Sequence, residues 1–177
     1  MAATTTVGTG KYTYDVDEDW ARLPEGWEMP AAAVYGDSKD RVYCFNRDPE
    51  HPICIFDRDG NLVSSWGAGL ISFAHAIYLD KEDNVWLVDR NKHQVFKYTN
   101  DGKLLMTIGD EGSRSDTGVA QDDYSSTTWS SVPHSGAPFN MPAGIAVHEI
   151  GRASCRESVS IPVVAVSFKT KPSPHPP

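Results

Sequence analysis

Apolar positions in this chain fall into short runs with turn residues between them. After Ala74 the runs are Ile77–Leu79, Val85–Val88, Gln94–Tyr98 and Leu104–Ile108. None keeps the helical period of about 3.6 residues, and aromatic and β-branched side chains fill them, so each reads as a β-strand. Asp80-Lys81-Glu82-Asp83-Asn84 separates the first two runs and Asn100-Asp101-Gly102 the last two. Asp-Gly between alternating runs is a strong hairpin signal, because glycine takes positive φ without a steric penalty. The same pattern occurs once before. Ala33-Val34-Tyr35 falls on Ala76-Ile77-Tyr78, Asp40-Arg41-Val42-Tyr43 on Asp83-Asn84-Val85-Trp86, Phe56-Asp57-Arg58-Asp59-Gly60 on Tyr98-Thr99-Asn100-Asp101-Gly102, and Trp66-Gly67 on Ile108-Gly109.

A repeat of about 42 residues carrying four short strands has the length of one propeller blade. The fold class expected is therefore all-β, a fragment of a β-propeller with blades at 33–67 and 76–109. Residues 1–10 are polar and threonine-rich and are expected to be disordered, and the alternating Lys11–Val16 reads as a strand. The rhythm breaks over 110–140, an insertion on the rim in which Tyr124 and Trp129 either fold over a ligand or pack back on the blade edge. A third blade starts at 141–148 with Met141-Pro142-Ala143-Gly144-Ile145-Ala146-Val147. From Glu149 the β-pattern stops, and Gly151-Arg152-Ala153-Ser154-Cys155-Arg156 resembles a translated sequencing adapter. The hypothesis is that 149–177 is a non-native or disordered tail; genomic resequencing that returned these codons intact would reject it.

Composition narrows the function classes. The 177 residues are 40% hydrophobic and 10% aromatic, a globular balance. A net charge of −8 argues against nucleic acid or an anionic membrane surface as partner. No apolar run reaches membrane-spanning length and the N-terminus has no secretory pattern, so a soluble, by default cytoplasmic protein is expected. Cys44, Cys54 and Cys155 have no metal-binding spacing; Cys44 and Cys54 read as buried thiols in neighbouring strands.

The loops after each second strand, Asn46–Pro52 and Asp89–His93, open on the face where the chain enters each blade. Arg47, Arg90, His51, His93 and the strand-entrance residue His75 should gather on that rim. Blander roles compete. A lone histidine is often a hydrogen-bonded structural residue, Arg47 can pair with Asp48 or Asp57, and His51 and His93 read as solvated loop residues. The acidic turns Asp37–Asp40 and Asp80–Asp83 lack the ligand spacing of an EF-hand and read as ordinary turns.

Phe45-Asn46-Arg47, Phe56-Asp57-Arg58-Asp59-Gly60, Ser65-Trp66-Gly67, Ala74-His75-Ala76-Ile77 and His93-Gln94-Val95-Phe96-Lys97 together resemble the NHL-repeat six-bladed β-propellers. The likeness runs from Tyr12 to Val147 and is nearest the bacterial relatives of peptidyl-α-hydroxyglycine α-amidating lyase. It implies a zinc-dependent C–N lyase that leaves a peptide amide and glyoxylate. By the same resemblance His75 is one zinc ligand, Arg47 is the active-site arginine, and the carbonyls of Val34 and Ile77 help bind calcium. The equivalent entrances Ala32 and Ala143 carry no histidine, and Ala74 stands where the lyase has proline. The other zinc ligands and the tyrosine base are expected in blades that this chain lacks. The chain alone is thus expected to be inactive, to hold neither metal tightly and to meet its small or peptidyl substrate only in the parent protein. A non-catalytic scaffold binding a protein or saccharide is the alternative. Without neighbouring blades, the faces of Val42–Phe45 and Val85–Val88 are expected to be partly uncovered, and their edges to drive self-association.

Overall fold

The computed structural model describes residues 5–118, 132–134, 136–148, 152–157 and 164–167. Tyr124 and Trp129 lie outside them. The first copy of the repeat is a four-stranded antiparallel sheet of β3 (Ala31–Gly36), β4 (Val42–Asn46), β5 (Ile53–Phe56) and β6 (Leu62–Trp66). The second is β7 (Ala74–Leu79), β8 (Val85–Asp89), β9 (Gln94–Tyr98) and β10 (Leu104–Ile108), in the same order. β11 (Pro142–His148) begins a third sheet with β12 (Arg152–Glu157) and β13 (Val164–Ser167). Every first strand has a bulge at its start, at Ala31/Ala33, Ala74/Ala76 and Pro142/Gly144. An irregularity repeated at one place in three sheets belongs to the repeat, and it re-aims the side chains at the blade entrances.

Local chemistry explains the turns. Asp37 accepts the backbone N–H groups of Lys39 and Arg41 at 2.9 Å each, and Asp57 those of Asp59 and Asn61 at 3.0 and 2.8 Å. Asp80 does the same for Glu82 and Asn84, and also takes Trp86 Nε1 at 3.0 Å and Lys97 Nζ at 2.8 Å. Burial alone would raise the Asp80 carboxyl, but these donors outweigh it and hold it below the usual range. Each aspartate replaces a missing ladder partner with its own side chain, so the acidic turns act as hairpin closures. Asp83 works across sheets, accepting Ser38 N–H at 3.0 Å and Ser38 Oγ at 2.6 Å. Gly102, at φ 89°, lies so near the Trp66 ring that a Cβ there would come to 2.9 Å.

Alternation along the strands builds the core. Tyr43, Phe45, Ile53 and Ile55 of the first sheet join Ile77, Leu79, Val85, Leu87, Phe96 and Tyr98 of the second in one buried cluster. On the other face of the second sheet Trp86, Val88 and Val95 pack with Phe139, Ile145 and Val147. On the other face of the first, Cys44, Cys54 and Phe56 are covered by Trp20, Ala21, Leu23, Trp27 and Met29. Cys44 and Cys54 are opposite each other in the register, both buried and free, and burial with the neighbouring thiol pushes Cys44 up to about 11.

These contacts correct three expectations. Of Val42–Phe45 and Val85–Val88, all but the partly buried Val42 are at most 3% exposed. The segment 20–29 stands in for a preceding blade, and Phe139 with β11 covers the other side. The exposed apolar residues are instead on outer and edge strands, among them Val34, Val63, Leu104 and Leu105. Residues 1–10 are not wholly unstructured, since β1 (Thr5–Thr9) pairs with β2 (Tyr12–Val16) in a hairpin whose residues are all exposed. Threonine suits a strand even without apolar neighbours, and β2 finds its partner locally. In the tail, 152–157 and 164–167 form strands where disorder was the expectation: β12 pairs with β11 and β13 with β12, because an edge strand offers unpaired backbone groups to any extended chain.

If the seam between the sheets carries the stability, Leu87→Ala should cost about 2–5 kcal/mol in urea unfolding, whereas Leu104→Ala should change it by about 0.5 kcal/mol or less. Equal losses would contradict this packing.

Candidate functional site on the blade-entrance rim

β3, β7 and β11 lie side by side at the centre, so the chain enters adjacent blades close together. Phe73 precedes β7 and is flanked by two guanidinium groups. Arg47, just after β4, has its Cζ 4.3 Å from the ring centre, and Arg90, just after β8, is at 5.7 Å. Both arginines occupy the same place in the repeat, so one architectural position is used twice. Arg47 Nε also donates to the Ala74 carbonyl at 3.4 Å. Arg47 forms no ion pair among the described residues: Asp48 is 2.9 Å from His51, and Asp57 accepts from Asn61. Arg47 also lines an open groove of about 350 Å³ with Gly26, Glu28, Pro30, Asp48 and Pro49.

The residue before each arginine fixes its loop. Asp89, fully buried, accepts the N–H groups of Ser72 at 2.6 Å, Phe73 at 3.2 Å, Asn91 at 3.1 Å and Lys92 at 3.0 Å. Asn46, equally buried, donates to the Glu28 carbonyl at 3.2 Å and accepts Asp48 N–H at 3.1 Å. The sequence reading missed Asp89, Asn46 and Phe73. A usable signal was present, an Asn or Asp ending the second strand directly before arginine in both copies.

His75 is half-buried beside this cluster. Its Nδ1 lies 2.8 Å from the Ala143 carbonyl, which can only accept, so Nδ1 carries the proton and Nε2 keeps its lone pair. Burial lowers its pKa most, the Ala143 bond raises it, and Arg90 and Arg47 lower it again, leaving it below 6.5. A ring fixed by a carbonyl on one nitrogen and open on the other has the chemistry of a metal-ligating histidine. Among the described residues, however, no three His, Cys, Asp or Glu side chains converge. Val34 and Ile77 sit at equivalent positions on the central strands β3 and β7, Val34 60% exposed and Ile77 7%.

The other rim histidines separate from this cluster. His51 stacks on Trp27, ring centres 3.3 Å apart, and pairs with Asp48. His93 is a correction to the solvated-loop expectation, being 3% exposed and 2.9 Å from Met141 N–H. Arg114 and Met141 close over it, which no local pattern around His93 announces.

Four-stranded antiparallel sheets whose first strands lie side by side, with polar residues at the blade entrances, define a β-propeller fragment with its candidate site on the rim. Over 54 residues the chain is 43% identical to peptidyl-alpha-hydroxyglycine alpha-amidating lyase 1 of Drosophila melanogaster, covering 29% of this chain and 10% of that protein. Over 72 residues it is 29% identical to a Caenorhabditis elegans protein named probable peptidyl-alpha-hydroxyglycine alpha-amidating lyase, covering 38% of this chain and 21% of that one. The matches thus span about a tenth and a fifth of the curated relatives' lengths. In architecture it resembles a catalytically inactive virginiamycin B lyase from Staphylococcus aureus crystallised with quinupristin, at a TM-score of 0.51 and 10% identity. That likeness covers 84% of this chain and 44% of the other, and shows the fold. No protein-family model matches the chain. Its sequence relatives are amidating lyases and its fold is an all-β propeller fragment.

Folded His75 and His93 both titrate below 6.5, His93 through burial first and then Arg114. Between that value and their folded pKa values the unfolded chain binds more protons, so stability rises with pH there and is lost on acidification. Melting temperature followed by circular dichroism should fall as pH drops from about 7 to about 5. A flat profile would contradict the depressed values.

Proposed function

We propose that this chain supplies part of the active-site rim of a carbon–nitrogen lyase acting on a peptidyl-α-hydroxyglycine. The reading is carried by one juxtaposition: Arg47 and the open Nε2 of His75 lie around Phe73, in a chain whose sequence relatives are amidating lyases. In this reading the substrate splits into a peptide amide and glyoxylate, the hydroxyl giving up a proton and the amide nitrogen gaining one. Arg47 stabilises negative charge on the reacting oxygen or the neighbouring carboxylate, and its charge does not depend on pH. Arg90 adds a second cation beside the same ring, favouring an anionic substrate end. His75 holds zinc through Nε2, with further ligands from outside the described residues; when bound, the metal supplies a Lewis acid. Calcium bound through the Val34 and Ile77 carbonyls has a structural role in the same proposal.

The open groove beside Arg47 favours a second reading, a non-catalytic rim that binds a protein or saccharide. An assay of glyoxylate release from an α-hydroxyglycine-extended peptide, using the full-length protein that carries this stretch, separates the two. The lyase reading expects turnover, an Arg47→Ala loss of about 100–1000-fold in kcat/KM, and loss of bound zinc in His75→Ala. Absence of turnover in zinc-loaded protein, or variants as active as the parent, would leave the binding rim.

A further inference from the structure

We infer that His93 is a positioning residue for His75, acting through the corner Met141–Pro142–Ala143 at the start of β11. The inference rests on the reading that His75 works through Nε2, and concerns what keeps that nitrogen free of a proton. The direct contact is the Ala143 carbonyl, 2.8 Å from His75 Nδ1. Where that carbonyl points is decided one turn earlier in the chain. Met141 has φ 51°, a left-handed conformation that a non-glycine residue adopts at a cost. It also precedes Pro142, whose ring drives the preceding residue towards extended backbone. Met141 is thus held against two local preferences.

One restraint comes from the second sheet. Met141 N–H donates to His93 Nδ1 at 2.9 Å, in a buried environment where a lost acceptor is not replaced by water. On the other side of the ring, Arg114 Nε lies 3.1 Å from Nε2. Both neighbours donate towards the ring and a neutral imidazole has a single acceptor nitrogen; the inference takes the buried contact, with Nδ1 as the acceptor. Asp89 anchors the loop that presents the ring, taking the N–H groups of Asn91 and Lys92. His93 itself has φ 58°, tolerated by histidine and asparagine better than by most residues. Pro142 then transmits the restraint, because its φ is fixed and a rotation at Met141 must carry the Ala143 carbonyl with it. His93→Ala removes one buried restraint on Met141, and the inference expects the Ala143 carbonyl then to leave His75 and the imidazole proton to distribute over both nitrogens.

The test is nitrogen NMR of the protein with ring-labelled histidine, read for the tautomer of His75. The unmodified protein should show a protonated Nδ1 and bare Nε2. His93→Asn retains an acceptor and suits the backbone, so it should keep that pattern. His93→Ala should shift His75 to averaged tautomer signals and weaken zinc binding by about 10–100-fold. Folded His93→Ala with His75 still protonated on Nδ1 would overturn the inference. If that variant does not fold, the unmodified protein and His93→Asn decide. A coupling across the hydrogen bond from the Met141 amide nitrogen to His93 Nδ1, with the His75 pattern kept in His93→Asn, supports it; absence of either refutes it. Failure of the unmodified protein to bind zinc would remove the metal reading alone, since the tautomer comparison needs no metal.

Discussion

The apolar seam between the two four-stranded sheets is the constraint on which the other features depend. Side chains alternate across a strand with a period of two, so Tyr43 and Phe45 on β4 and Ile53 and Ile55 on β5 all face the second sheet. A slip of one residue would turn Cys44 and Cys54 into the seam and these four away from it, so the register is strongly specified. With the register set, β3 and β7 come together at the centre, and the loop after β4 ends beside the entrance to β7. Only then can Arg47, from one copy of the repeat, meet Phe73 and His75 from the next.

Repetition supplies the rest of the rim. The position after the second strand holds arginine twice, and the position before it holds Asn46 or Asp89, fully buried and satisfied by backbone. A buried carboxylate or amide there is stable because main-chain N–H or carbonyl groups surround it, and those groups shape the loop. The two guanidinium groups share one aromatic ring and both depress His75, so the cluster favours a neutral imidazole beside fixed positive charge.

The departures from the sequence reading share a cause. Local pattern shows which faces are apolar and does not show what covers them. The segment 20–29 reads as turns and isolated aromatics, yet Trp20, Leu23, Trp27 and Met29 occupy the space a preceding blade would fill. His93 looks like a polar loop residue until residues far along the chain, Arg114 and Met141, close over it. Ala143 drew attention only as an entrance without histidine, but its carbonyl fixes the tautomer of His75.

The sequence by itself determined the blades. Strand lengths, Asp-led turns and the Asp-Gly signals at Gly60 and Gly102 are local properties of the backbone and of side chains hydrogen-bonding two to four residues away, and β7–β10 fall on the four expected runs. The repeat likewise indicated that Arg47, Arg90 and His75 belong to one rim. Only the tertiary structure decided that Phe73 lies between the arginines, that His75 is open at Nε2, and that His93 faces inward. Those outcomes depend on contacts between residues 17 to 68 positions apart, such as Arg90 with Phe73 and His75 with Ala143, and neither local propensity nor repeat spacing encodes them.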